Sequence, residues 1–199
     1  EQLQRFHGQP SGAFTADEHL AGRFPSRGTE LCAVVESMFS LALAAQLAPG
    51  DEEAMNALDA IESLAFNALP GSLSDDLWSH PYLQFANSYQ AVSNEPDHVW
   101  ANDGPQAAMY GLSPNYECCT ANFHQGYPKF TGSLFFEELA TQELVSAIWA
   151  PSHATTTVGN ARVELRTAYP FNTSVEYWIS NAAPFTLKVR LPKFLRSRR

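Results

Sequence analysis

With 199 residues, 45% of them apolar, 12% aromatic and 17% charged, the chain can fill one sizeable core, or one domain and part of another. Its formal charge of −9 argues against nucleic acid as a partner, because phosphate binding needs a basic surface. No run approaches the ~20 apolar residues of a membrane span, so no membrane partner is expected.

The opening EQLQRFHGQPSG has no initiator Met and no charged-then-apolar start, and reads as part of a longer polypeptide. The compartment is left open; the sequon Asn172-Thr173-Ser174 is compatible with secretion. Residues 1–28 are rich in Gly, Pro, Ser and charge, and read as a long loop of the kind that borders active sites. Val34, Val35, Met38, Leu41, Ala42 and Ala45 then recur at helical spacing until APGD at 48–51. Thr29 would cap this helix and place Glu30 and Cys32 in its first turn. A second helix over about 52–69 presents Met55, Leu58, Ile61, Leu64 and Ala65 on one face, which suggests a helical hairpin.

Residues 70–115 are turn-rich, with a short strand expected around Tyr82 to Phe85. A third helix should start just after Cys118-Cys119 and run to about 141, kinked near Pro128. From about 144 the period becomes two, in LVSAIWA, ARVELRTAYPF, SVEYWISN and FTLKVRLP. The closing KFLRSRR reads as a frayed tail. The fold class is therefore mainly α with a β C-terminal part, in segregated units.

Three cysteines are an odd number, and sequence neighbours rarely bond each other, so a disulfide framework is not expected. Cys118 and Cys119 stand at one expected helix start, Glu30 and Cys32 at another, where free N–H groups favour thiolate. One carboxylate and three sulfurs match the donors of a tetrahedral zinc site. The spacing is not that of a zinc finger, and buried structural cysteines are the competing reading.

GTELC, IESLAFNAL and CCTAN, in this order, resemble glycoside hydrolase family 127, the β-L-arabinofuranosidase-like family. That family has Glu-Thr-Cys opening a helix, a helix ending Glu-Arg-x-x-Tyr-Asn, then Cys-Cys-Pro-Pro-Asn. TAYPF and VRLPKF stand where it has Tyr-Pro-Trp and Arg-Ile-Pro-x-Trp. The resemblance implies a partial (α/α)6 barrel over 1–142 and the start of a β-sandwich over 143–199. An N-terminal barrel half would be missing and the fragment inactive alone.

It also implies zinc held by Glu30, Cys32, Cys118 and Cys119, with Cys118 as nucleophile of a retaining hydrolase acting on β-L-arabinofuranosides or related sugars. Glu62 and Tyr82 would meet the carbohydrate. The family's acid/base lies in Gly-Glu-Ala-Phe, but PSGAFTADEHL has Gly12 at the glutamate position. Glu18, in the same loop as Asp17, is the candidate substitute. The alternative is a non-catalytic, zinc-stapled carbohydrate-binding or scaffold protein that has lost the acid. A third is a reduced helical protein without metal.

Overall fold

The computed structural model describes residues 2–47, 50–113, 115–180 and 182–196. Two compact units divide the chain: Glu1–Ala44 with Ala60–Lys129, and Ala45–Asp59 with Phe130–Arg199. The chain is mixed α and β, with small sheets, and the described elements close no barrel.

In the first unit a short helix α1 (Gln2–His7) leads into an irregular loop, then strand β1 (Thr29–Glu30) and helix α2 (Leu31–Leu47). Val34, Val35, Met38 and Ala42 are buried, as their spacing requires, each large side chain contributing ~1.5–3 kcal/mol. Helix α3 (Glu52–Ser63), which belongs to the second unit as far as Asp59, opens with Glu52 and Glu53, acidic residues that complement the helix dipole. It continues through a π-helical segment, Leu64–Ala68, into the short α4 (Leu69–Gly71), so the apolar run reaches past residue 69 without a break. Strand β2 (Leu83–Gln84) lies within the expected 82–85 stretch and pairs with β1.

The helices α5 (Glu117–Phe123) and α6 (Gly126–Thr131) follow. Their end corrects the expected third helix. Gly132-Ser133 stops α6, and Phe135–Glu138 becomes strand β3, antiparallel to β4 (Glu143–Ser146). Two consecutive phenylalanines fit a helical stripe and a paired strand equally, and only the partner strand decides.

The second unit carries two three-stranded sheets. β3, β4 and β8 (Thr186–Val189) form one, with β4 and β8 parallel. β5 (Ser152–Thr155), β6 (Arg162–Thr167) and β7 (Val175–Ser180) form the other, all antiparallel. Leu144, Val158, Ala161 and Val163 make a dry core, with Phe135, Tyr177, Phe185 and Leu187 packed on it. β5, sequence SHAT, is polar and short, and is stabilised by its register against β6.

The expected frayed tail is also corrected in part. Lys193–Arg196 forms a helical turn α7, and Arg196 pairs with Asp59. Asp59 also takes the guanidinium of buried Arg190 at 2.6 Å, which compensates that charge. Residues 197–199 lie outside the described residues. Among the described residues, no helix is long and apolar enough to cross a membrane.

Candidate metal centre

Glu30 and Cys32 reach the centre from either side of a strand-to-helix junction. Glu30 is the second residue of β1 and Cys32 the second of α2, which corrects the expectation that both share a first helical turn. Thr29 does not cap the helix; its hydroxyl donates to the Phe14 carbonyl at 2.7 Å. β1 is held on both flanks. The Glu30 N–H donates to Ala16 O at 2.9 Å and the Leu31 N–H to Tyr82 O at 3.1 Å. Gly28 is what allows this approach: a Cβ there would lie 2.8 Å from the Leu83 Cβ.

Cys118 and Cys119 lie inside the first turn of α5, which starts at Glu117 and not, as expected, just after the pair. The Cys32 and Cys119 sulfurs are 3.2 Å apart and the Cys118 and Cys119 sulfurs 4.0 Å. The four donor atoms of Glu30, Cys32, Cys118 and Cys119 all lie within 4.8 Å of one another. Tetrahedral coordination with ~2.3 Å metal–sulfur bonds sets sulfurs ~3.8 Å apart, so the quartet could hold a metal with small adjustments. All three cysteines are free thiols. Cys119 is buried, Cys32 half-buried and Cys118 exposed, so Cys118 is the sulfur open to a reactant.

Without a metal, the sulfur that ionises is not the exposed one. Cys32 is lowered to about 7, chiefly by its hydrogen bond with Cys119, and further by Cys118 and by Asn122, whose Nδ2 lies 3.6 Å from its sulfur. Cys118 is pushed up by desolvation and by Cys32, and Cys119 by its hydrogen bond to Cys32 and by burial. Burial also raises Glu30. Protein groups alone thus let one sulfur ionise and hold the others protonated. A divalent cation among them would compensate three thiolates and a carboxylate, which is the donor chemistry of zinc.

A second group of polar residues borders the quartet. The Tyr82 hydroxyl donates to Glu18 Oε1 and also contacts the Glu30 carboxylate. Burial first, then Glu18 and the charge of Glu30, raises the Tyr82 phenol, so it remains a donor. The Glu18 N–H itself faces Glu30 Oε1 at 3.4 Å. Tyr82 stacks on Tyr116 at 4.0 Å between centroids, and the Tyr116 hydroxyl donates to Asp103 O at 2.6 Å. Desolvation, then the charges of Asp17 and Glu18, raises the Asp103 carboxyl.

Of the sequence candidates, Glu18, Glu30, Cys32, Tyr82, Cys118 and Cys119 therefore converge. Glu62 is half-buried near the end of α3. His80 is buried, with Nδ1 3.0 Å from Pro81 O and Nε2 2.9 Å from the Thr120 hydroxyl, a structural placement. Gly12 has a φ of 94°, and a Cβ there would lie 2.7 Å from the Ser63 Cβ, so a glutamate does not fit in this conformation. Sequence reading missed Asp103, Tyr116 and Asn122. Asn122 alone had a signal, since it closes CCTAN and bonds back to Cys118 O at 2.9 Å, one helical turn away.

No family model matches the sequence, and no curated protein matches it. Solved structures do. A GH127 β-arabinofuranosidase superposes with a TM-score of 0.69 at 21% identity, over 94% of this chain. A GH127 β-L-arabinofuranosidase from Geobacillus stearothermophilus T6 superposes with a TM-score of 0.76 at 14% identity, over 96% of this chain. The chain has the fold of a region of GH127 enzymes. That region is 27% of the first GH127 chain and 30% of the second. At these identities the GH127 likeness is one of fold, and the metal centre stands on this chain's own geometry.

Proposed function

We propose that the chain is part of a retaining glycoside hydrolase whose nucleophile is the Cys118 thiolate and whose acid/base is Glu18. Residues 1–142 would be the later part of an (α/α)6 barrel and 143–199 the start of a β-sandwich, the N-terminal barrel half lying elsewhere in the parent protein. The observation that carries the reading is the convergence of the four donors with Cys118 as the exposed sulfur, beside a carboxylate held by Tyr82.

Zinc bound to Glu30, Cys32, Cys118 and Cys119 would keep sulfur deprotonated at neutral pH. The Cys118 sulfur attacks the anomeric carbon, forming a carbon–sulfur bond as the glycosidic carbon–oxygen bond breaks. Glu18 gives its proton to the departing oxygen. As a carboxylate it then takes a proton from water, which displaces Cys118 from the sugar with net retention. Tyr82 and Glu62 would meet sugar hydroxyls. β-L-Arabinofuranosides or related sugars are the proposed substrates, in line with the names of the superposing enzymes.

The test is zinc stoichiometry and release of p-nitrophenol from a panel of glycosides, β-L-arabinofuranoside included, by the full-length protein. Wild type should hold one zinc and turn over a member of the panel. Glu18→Gln and Cys118→Ala should each lose at least ~100-fold in kcat. Unchanged turnover in Cys118→Ala ends the nucleophile assignment. The non-catalytic scaffold reading draws on Gly12, where no carboxylate fits; it predicts bound zinc and no turnover of any glycoside.

A further inference from the structure

Glu18 sits in a left-handed conformation, φ 68°, which a residue with a side chain adopts only where its surroundings impose it. Its own residue is exposed, so packing of its side chain is not what imposes it. Besides the Glu30 Oε1 that its N–H faces and the His19 Nδ1 that lies 3.1 Å from Asp17 O, the residues around it converge on one guanidinium. Arg27 Nε lies 2.7 Å from Oδ2 of Asp17, the residue before Glu18, an ion pair whose angle is not that of a hydrogen bond. Arg27 Nη2 lies 3.1 Å from Nε2 of His19, the residue after it. The remaining nitrogen, Nη1, donates to Asn102 Oδ1 at 2.9 Å, next to Asp103.

Each contact is itself braced. The Asp17 side chain has no exposed surface, and Arg27 is the guanidinium that faces it. A buried carboxylate stripped of its cation is uncompensated, so Asp17 commits the loop to Arg27. The Asn102 amide donates in turn to Ser26 O, and the Arg27 N–H to Phe24 O at 3.0 Å. On the other flank, Ala16 accepts from Glu30 and donates to Gly28 O at 2.9 Å. The backbone either side of Glu18 is thus fixed by β1 at residue 16 and by Arg27 at residues 17 and 19.

We propose that Arg27, acting with Asp17, is a positioning residue that holds the Glu18 carboxylate on Tyr82 at the metal centre and sets Asp103 beside it. The role needs a three-armed planar fork. Lysine would keep the charge on Asp17 but cannot also reach His19 and Asn102. The consequence for turnover rests on the reading of Glu18 as the acid; the consequence for geometry does not.

The experiment takes Arg27→Lys and Asp17→Asn in the full-length protein, with crystal structures, zinc content and kcat/KM on a phenyl and a 2,4-dinitrophenyl glycoside of the sugar that wild type hydrolyses. Glu18 should leave Tyr82 in both crystals while zinc stays at the wild-type ratio. kcat/KM on the phenyl glycoside, whose leaving group needs a proton, should fall about 10- to 100-fold. On the dinitrophenyl glycoside, which departs unprotonated, it should change less than about threefold. General loosening of the fold would lower both alike. Glu18 still bonded to Tyr82 in either crystal, or equal losses on the two aglycones, overturns the proposal. If Asp17→Asn does not fold, Arg27→Lys alone decides it. If wild type hydrolyses no glycoside, the hydrolase reading fails, and the crystals still decide whether Arg27 places Glu18.

Discussion

At the scale of single residues, the metal quartet was legible because each donor sits in a short motif: Glu-x-Cys and Cys-Cys. What those motifs could not carry is how the sulfurs divide their charge. Proximity of the Cys119 thiol lowers Cys32 to about 7, while Cys118, although exposed, is raised by desolvation and by Cys32. A lowered thiol pKa means that thiolate dominates above it, so metal-free Cys32 should react as its own pKa, not an ordinary thiol's, is crossed. Iodoacetamide labelling mapped by mass spectrometry should show Cys32 modified with a half-maximal rate near pH 7 and ahead of Cys118. Added zinc should protect both. Preferential labelling of Cys118 at pH 7 would contradict the charge assignment. Asp103, Tyr116 and the Arg27–Asp17 pair left no such trace, because their partners lie in loops with no periodicity to align them.

Among the elements, periodicity found α2, α3, β4 and β6, which carry buried residues, and β7 and β8, which reach the core only through half-buried Tyr177 and Leu187. It failed where pairing rather than burial defines the element. β3 is half-exposed and exposed throughout, and its sequence suits a helix equally; β5, SHAT, alternates only between half-buried and exposed and lies outside the period-two runs. The two-residue strand β1 is the functional case. It exists because Ala16 and Tyr82 bracket it, and it turns Glu30 toward the sulfurs from outside the helix that carries Cys32. The tolerance of that arrangement is small at Gly28, where an added Cβ meets the Leu83 Cβ at 2.8 Å and its Cδ1 at 2.9 Å. Leu83 is itself buried and cannot swing away freely. Gly28→Ala should therefore push β1 off β2 and displace Glu30, the oxygen donor. We expect zinc affinity to fall roughly 10- to 100-fold, as for other changes that disorient a ligand, with a cost of ~1–3 kcal/mol in stability. Competition with a chromophoric chelator measures the first and urea denaturation the second. Unaltered zinc affinity would show that Glu30 is placed by something other than the β1–β2 pair.

For the molecule as a whole, metal binding and catalysis should separate. All four donors belong to one compact unit and are brought together by bonds within it: β1 to β2, β1 to the loop at Ala16, and α5 through Cys119 to Cys32. All four donor residues of the quartet are supplied by this unit. A sugar pocket is a different matter. The chain spans 27% and 30% of the GH127 structures it superposes on, so the pocket of the proposed hydrolase would draw on residues outside it. A transition state held by part of its pocket loses the orientation that makes neighbouring groups effective, which can account for ~7–11 kcal/mol of a barrier. The isolated 199-residue chain should therefore bind one zinc, lose it in Cys32→Ser, and hydrolyse no p-nitrophenyl glycoside at a rate above buffer. Metal analysis after gel filtration and an overnight p-nitrophenol assay, with the full-length protein alongside, are sufficient. Efficient turnover by the isolated chain would mean that its own residues complete the pocket; a chain that folds but binds no zinc would mean that the quartet needs support from beyond it.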